Sequence, residues 1–230
     1  MKKQLIGILA GLGLLLLLLP PGTGAQGEPA PEFLMTWRAD SYVPAYYTGK
    51  ALPAPGSNII ASFELIQNGA PLDISNETVY WYMNRKPIRE GLGLKTISLR
   101  APETPGGMFE LRARINNFRD ESTTLLYSIS IPVAAPEAVI ESPFPDGRVR
   151  APSVRLMGYP YFFNVSDPQS LSYSWTVNGE TPAGSASPNQ LDVTVVNPRG
   201  AAELSIDLSI QGEQSLFDSA SKNIRLILGQ

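Results

Sequence analysis

The chain contains no histidine and no cysteine in 230 residues, and that pair of absences removes most of the chemistry a protein can do. Histidine triads, cysteine nucleophiles and the usual zinc or copper ligand sets each need one of those side chains. Carboxylates remain. Asp120 and Glu121 are adjacent in an expected hairpin loop, where water solvates both. Glu64, Asp192 and Asp207 alternate with apolar neighbours, so they are expected on the solvent face of strands, not in the buried setting that raises an acid's pKa. Asp146 and Asp167 are loop acids without the clustered oxygens that calcium takes. The expectation is therefore no catalytic residue, no cofactor and no metal.

Binding is the chemistry left, and two tyrosine groups could do it. If Trp81, Leu111 and Ile129 point into a core, the two-residue period of a strand turns Tyr80, Tyr82, Arg112, Arg114, Ser128 and Ser130 outward on one face. Tyrosine and arginine are enriched at protein-binding hot spots, which makes Tyr80, Tyr82, Arg112 and Arg114 a candidate protein-binding face. The same four side chains can also satisfy one another by cross-strand cation–π packing, with no partner. The matching face of the second half reads Ser174, Thr176, Ser205, Asp207, Ser209 and Arg225, an ordinary solvated surface. The second group, Tyr42, Tyr46 and Tyr47, is a candidate ligand loop whose rings either stack on a sugar or cap the end of a domain. Asn76-Glu77-Thr78 and Asn164-Val165-Ser166 fit the N-glycosylation pattern, which matters only in a host with that machinery.

These residues need a scaffold, and an internal repeat supplies it. Val79-Tyr80-Trp81-Tyr82-Met83-Asn84 recurs as Tyr173-Ser174-Trp175-Thr176-Val177-Asn178, 94 positions later. That spacing is about one small β-sandwich of ~100 residues. Ile97 and Leu99 align with Leu191 and Val193, and, after one gap, Gly107 to Leu111 with Gly200 to Leu204. Period-two alternation and turn residues predict strands at 33–38, 58–67, 79–83, 95–100, 108–115 and 124–133. In the first half 84–93 is read as turn, and the second half is predicted to hold strands at 138–141, 153–158, 161–165, 171–177, 190–196, 202–210 and 223–228. No convincing helical stripe appears in the mature chain.

Trp81-Tyr82-Met83-Asn84 followed by Lys86-Pro87-Ile88 resembles the C strand and C–C′ turn of immunoglobulin-like domains. The resemblance implies that Gly107, Phe109 and Leu111 stand where that family opens strand F with glycine, an aromatic and cysteine. It also implies that Phe63 or Leu65 in the first half, and Phe162 or Phe163 in the second, fill the strand B cysteine position. Tyr173-Ser174-Trp175 with Asn178-Gly179 is similar to the signature strand of PKD-like sandwiches. The expected fold is all-β: two tandem immunoglobulin-like β-sandwiches, residues 33–134 and 135–230, after an N-terminal signal peptide. Ala134-Ala135-Pro136 forms the joint.

Lys2 and Lys3 precede an uncharged run from Leu5 to Leu19, then Pro20-Pro21-Gly22 and the small residues Thr23-Gly24-Ala25. This is the layout of a signal peptide, residues 1–25, with 26–32 as a flexible lead-in. The apolar run falls short of the roughly 20 residues of a spanning helix, so a membrane enters only if the segment is retained. The expected location is exported: periplasmic, cell-surface or extracellular. The net charge is −3, and loss of Lys2 and Lys3 makes the mature chain more acidic, which argues against nucleic acid. Without a disulfide, the apolar core must carry the stability. The function expected is a non-enzymatic interaction, adhesion or structural module, its partner another envelope or surface protein, or a glycan. The alternatives are a carbohydrate-binding sandwich and a periplasmic pilus-type chaperone, the latter because Tyr127, Ile129 and Ile131 alternate as a donor strand does.

Overall fold

The computed structural model describes residues 29–120, 122–183, 187–194, 202–213 and 217–228. The expected signal peptide and Glu121 lie outside the described residues. The first half has eight strands: β1 (Glu32–Ala39), β2 (Asn58–Gln67), β3 (Ala70–Pro71), β4 (Thr78–Met83), β5 (Lys86–Leu92), β6 (Thr96–Arg100), β7 (Met108–Ile115) and β8 (Leu125–Pro132). The second half has seven among the described residues: β9 (Glu137–Glu141), β10 (Arg148–Val149), β11 (Ser153–Tyr161), β12 (Ser172–Val177), β13 (Gln190–Thr194), β14 (Ala202–Gln211) and β15 (Ser219–Leu228). No α-helix occurs among the described residues, and none of their segments is a helix long and apolar enough to cross a membrane.

In the first half β2 lies between β1 and β6, with β3 folded back on its end, and the second sheet runs β5-β4-β7-β8. Strict alternation along β2 buries Ile59, Ala61, Phe63 and Leu65, and they meet Trp81, Leu111, Ala113 and Ile115 of the facing sheet in one apolar core. The second half repeats the plan with sheets β13-β11-β9 and β10-β15-β14-β12 around Leu156, Phe163, Trp175, Ile206 and Leu208. Here β10 joins β15 in parallel, which extends that sheet at one end. The fold is the all-β, tandem immunoglobulin-like arrangement.

The tryptophan repeat is structural in detail. Trp81 Nε1 donates to the Leu94 carbonyl at 2.9 Å, and Trp175 Nε1 donates to the Pro188 carbonyl at 3.0 Å, each acceptor 13 residues beyond its indole. The asparagines that end both strands take left-handed backbone, φ 48° at Asn84 and 52° at Asn178, followed by Arg85 and Gly179, also at positive φ. Two consecutive positive-φ residues match the right-handed twist of a hairpin, and asparagine tolerates the first of them. Each asparagine then clamps the neighbouring strand at two points: Asn84 bonds both backbone groups of Glu110 at 2.9 Å, and Asn178 both groups of Ser205 at 2.8 Å.

Four expectations are corrected. Residues 86–92 form strand β5, not a turn; it lies at a sheet edge, where Lys86, Pro87, Arg89 and Glu90 blunt pairing and erase the alternation a strand normally shows. Strand β11 runs unbroken through Pro160, because β13 pairs only as far as Met157 and the strand has one neighbour beyond it; residues 162–165 are not a strand. The clamp matches Glu110 with Ser205, so Leu204, not Ala202, is the counterpart of Phe109. The Phe63 N–H bonds the Lys95 carbonyl and the Gly158 N–H bonds the Asn189 carbonyl, acceptors separated by the same 94 residues as the tryptophans, so Gly158, not Phe162 or Phe163, is the counterpart of Phe63. A Cβ built on it would lie 3.1 Å from Trp175 Cζ2 and 2.7 Å from Leu208 Cδ2.

Candidate binding surfaces

Strand register decides where the first tyrosine group goes. Tyr80 pairs directly with Arg114, and Tyr82 with Arg112, across β4 and β7. Trp81 and Leu111 are fully buried, so the alternate residues face out on the β5-β4-β7-β8 sheet. The Arg114 guanidinium lies 5.0 Å from the Tyr82 ring centre and 5.6 Å from that of Tyr80, a cation held between two π faces. Beside it Arg112 Nη2 meets Glu110 Oε1 at 2.7 Å. The Nε atoms of both arginines are shielded from water without a hydrogen-bond partner, so both stems lie packed against the sheet.

The next strands extend the face. On β8, Leu126, Ser128 and Ser130 stand opposite Arg114, Arg112 and Glu110. On β5, Glu90 stands opposite Tyr80, and a register shift between Trp81 and Tyr82 pushes Ile88 out of the ladder. Leu92, Leu126 and Ile88 are all exposed, Leu92 by 70%. Sequence reasoning missed Leu92 and Ile88 because β5 was not recognisable as a strand. The equivalent face of the second sandwich is polar: Asn223 Nδ2 bonds Ser205 Oγ at 2.8 Å and Asp207 Oδ1 at 2.7 Å.

The second tyrosine group sits at the junction of the two sandwiches. Tyr42 exchanges backbone hydrogen bonds with the other half, its N–H to the Phe163 carbonyl and the Phe162 N–H to its own carbonyl, both 2.8 Å. Tyr46 packs edge-on to Tyr159 at 5.5 Å, and Tyr47 edge-on to Tyr161 and Phe162, each at 5.8 Å. The Tyr161 hydroxyl donates to that of Tyr46 at 3.2 Å. Burial raises the Tyr46 hydroxyl pKa, and burial likewise raises Tyr42 and Tyr159. The loop therefore caps the first sandwich with the second.

The acids are used locally. Asp192 accepts from Arg155 Nε at 2.8 Å and from Gln190 Nε2 at 2.7 Å, and the arginine bond holds its pKa below the usual carboxylate range. Lys95 bonds Glu64 at 2.5 Å. Asp146 accepts from the Arg148 N–H at 3.0 Å and from Arg150 at 2.6 Å, while Asp167 caps the Pro168–Ser170 turn through the Gln169 N–H. No group of three potential metal ligands occurs among the described residues. Ile131 is buried and Ile129 packs on the same core, so two of the three donor-strand candidates serve their own sandwich, and Tyr127 stacks on Phe33 at 5.7 Å.

No known family pattern and no curated protein matches the sequence. Solved structures do. Three N-terminal domains of the Highly Immunogenic Outer Capsid protein of bacteriophage RB49 align with TM-score 0.46 and 12% identity over 86% of this chain, which spans 59% of theirs. Fibronectin(III)-like modules of Clostridium thermocellum CbhA align with TM-score 0.28 and 12% identity, over 85% of this chain and 93% of theirs. An ICAM-5 D1–D4 ectodomain fragment aligns with TM-score 0.34 and 10% identity, over 86% of this chain and 53% of its own.

Proposed function

We propose that this chain is an exported, non-enzymatic binding module whose first sandwich, residues 33–134, holds a protein of the envelope or cell surface on the outer face of β5-β4-β7-β8. The observation that carries the reading is the Arg114 guanidinium held between Tyr80 and Tyr82, with Arg112 alongside and exposed Leu92, Ile88 and Leu126 around them. Rigid aromatic and arginine side chains at the centre of a patch, with apolar residues to exclude water, have the anatomy of a hot spot. Their mutual packing lowers the side-chain entropy that a partner would otherwise have to remove on binding. The second sandwich, residues 135–230, shows a polar equivalent face among the described residues and serves as a spacer or support. Export rests on the leader-like residues 1–25 and fits a fold that holds together without cysteine.

The test is site-specific photo-crosslinking in cells, with the crosslinker at Ser128 beside the arginines and, as control, at Ser209 on the other sandwich. A discrete protein adduct from Ser128, lost in Arg112→Glu and Tyr82→Ser variants that melt normally, is the expected result. Equal adducts from both positions, or one that survives both substitutions, would sink the face as the site.

A further inference from the structure

At the junction a cleft of about 460 Å³ opens, lined by Tyr42, Tyr159, Tyr173, Gln169, Asn189 and a floor of Gly158 and Pro160. We infer that it is a second binding site, for an uncharged oligosaccharide. The volume lies within the roughly 300–1,000 Å³ of small-molecule sites. Its three aromatic rings come from three separate segments: the loop after β1, strand β11 and strand β12. Only Tyr42 belongs to the loop that the sequence singles out.

The walls are preformed. The backbone exchange with Phe162 and Phe163 fixes Tyr42. Tyr159 is held edge-on by Tyr46, and the Tyr173 hydroxyl donates to the Pro168 carbonyl at 3.2 Å, so that ring cannot swing into the space. The floor is anchored by the Gly158 N–H on the Asn189 carbonyl at 2.7 Å. A ligand entering this cleft orders few side chains, which keeps the entropic cost of binding small.

The lining selects the ligand class. None of its lining residues is charged, and the nearest acids, Glu141 beside Tyr159 and Asp167, whose carboxylate caps the Pro168–Ser170 turn, disfavour an anionic ligand. Tyrosine rings offer flat apolar surfaces that match the C–H faces of a sugar ring. Gln169 and Asn189 carry amides that both donate and accept, as sugar hydroxyls do. A peptide added as a strand would need backbone N–H groups, and Pro160, Pro168 and Pro188 remove three of them from the lining.

The probes are cellohexaose, mannohexaose and chitohexaose, with oligogalacturonate as the charged counterpart and a proline decamer as the peptide counterpart, titrated onto the full mature chain by calorimetry. Saturable binding of at least one neutral hexasaccharide is expected, weakened by about tenfold or more in the Gln169→Ala/Asn189→Ala double variant with an unchanged melting curve. If the double variant melts early, Gln169→Glu, on an exposed side chain, replaces it with the same expectation. The inference is overturned if no neutral sugar binds, if the variants bind it as tightly as the parent, or if only oligogalacturonate or the proline decamer binds. None of these outcomes depends on the partner of the Tyr/Arg face.

Discussion

Replacing Trp81 with alanine probes how the two sandwiches share stability. The indole is fully buried, its ring centre 5.6 Å from that of Phe63, and its N–H satisfies the Leu94 carbonyl at 2.9 Å. Truncation of a buried tryptophan costs about 3–5 kcal/mol, and the orphaned carbonyl adds about 1–3 kcal/mol unless water enters the cavity. A sandwich of this size has about 5–15 kcal/mol in total, and each kcal/mol moves the midpoint by about 4–8 °C. The first sandwich should therefore melt about 20 °C or more earlier. The two apolar cores are separate clusters, so scanning calorimetry of Trp81→Ala should show one transition displaced and another near its original place, with Trp175→Ala giving the mirror image. An unchanged melt in Trp81→Ala would remove Trp81 from the core. Equal displacement of both transitions would refute the separation of the two cores.

Further outcomes follow from particular contacts. Gly158→Ala forces a methyl to within 2.7 Å of Leu208 and 3.1 Å of Trp175, so overpacking should destabilise the second sandwich by about 1–3 kcal/mol in urea melts. A double-mutant cycle on Arg114→Met and Tyr82→Leu should give a coupling of about 0.5–1 kcal/mol, and additive effects would mean the stack contributes nothing. Asp218 is 2% exposed, and burial raises its pKa against the opposing hydrogen bond from the Asn164 N–H. A raised folded-state pKa means that its contribution is present below the ordinary carboxylate value and is lost as pH rises through the folded one. The melting temperature of Asp218→Asn relative to the parent should therefore rise on going from acid to neutral pH; a constant gap would contradict the assignment.

The strands that carry the Tyr/Arg face were legible because their alternation is unbroken: β2 and β7 begin and end where the pattern does, and Trp81 and Leu111 point inward as read. Strand β5 was illegible for the reason it exists, since an edge strand protects itself with charge and proline and so reads as a turn. The junction was hidden for another reason. That Tyr42 pairs with Phe163, and Tyr46 meets Tyr159, depends on how the chain returns after more than a hundred residues, which local patterning does not encode. The cleft belongs to the same class: Tyr159, Tyr173, Gln169 and Asn189 are ordinary in sequence and become a set only when the second sandwich folds, with Tyr42 added from the first. The prolines at 160, 168 and 188 all line the same opening, but their separation in the sequence carries no signal of it.

The most direct measurement of the central claim is the affinity of the crosslinked partner, once identified, for the parent chain and for Tyr82→Ser and Arg112→Glu variants of verified fold. Hot-spot side chains carry about 2 kcal/mol or more each, so both substitutions should weaken binding by at least about tenfold, while Asn223→Ala on the second sandwich leaves it unchanged. Equal affinity across all three variants would contradict the assignment of the first sandwich's outer face.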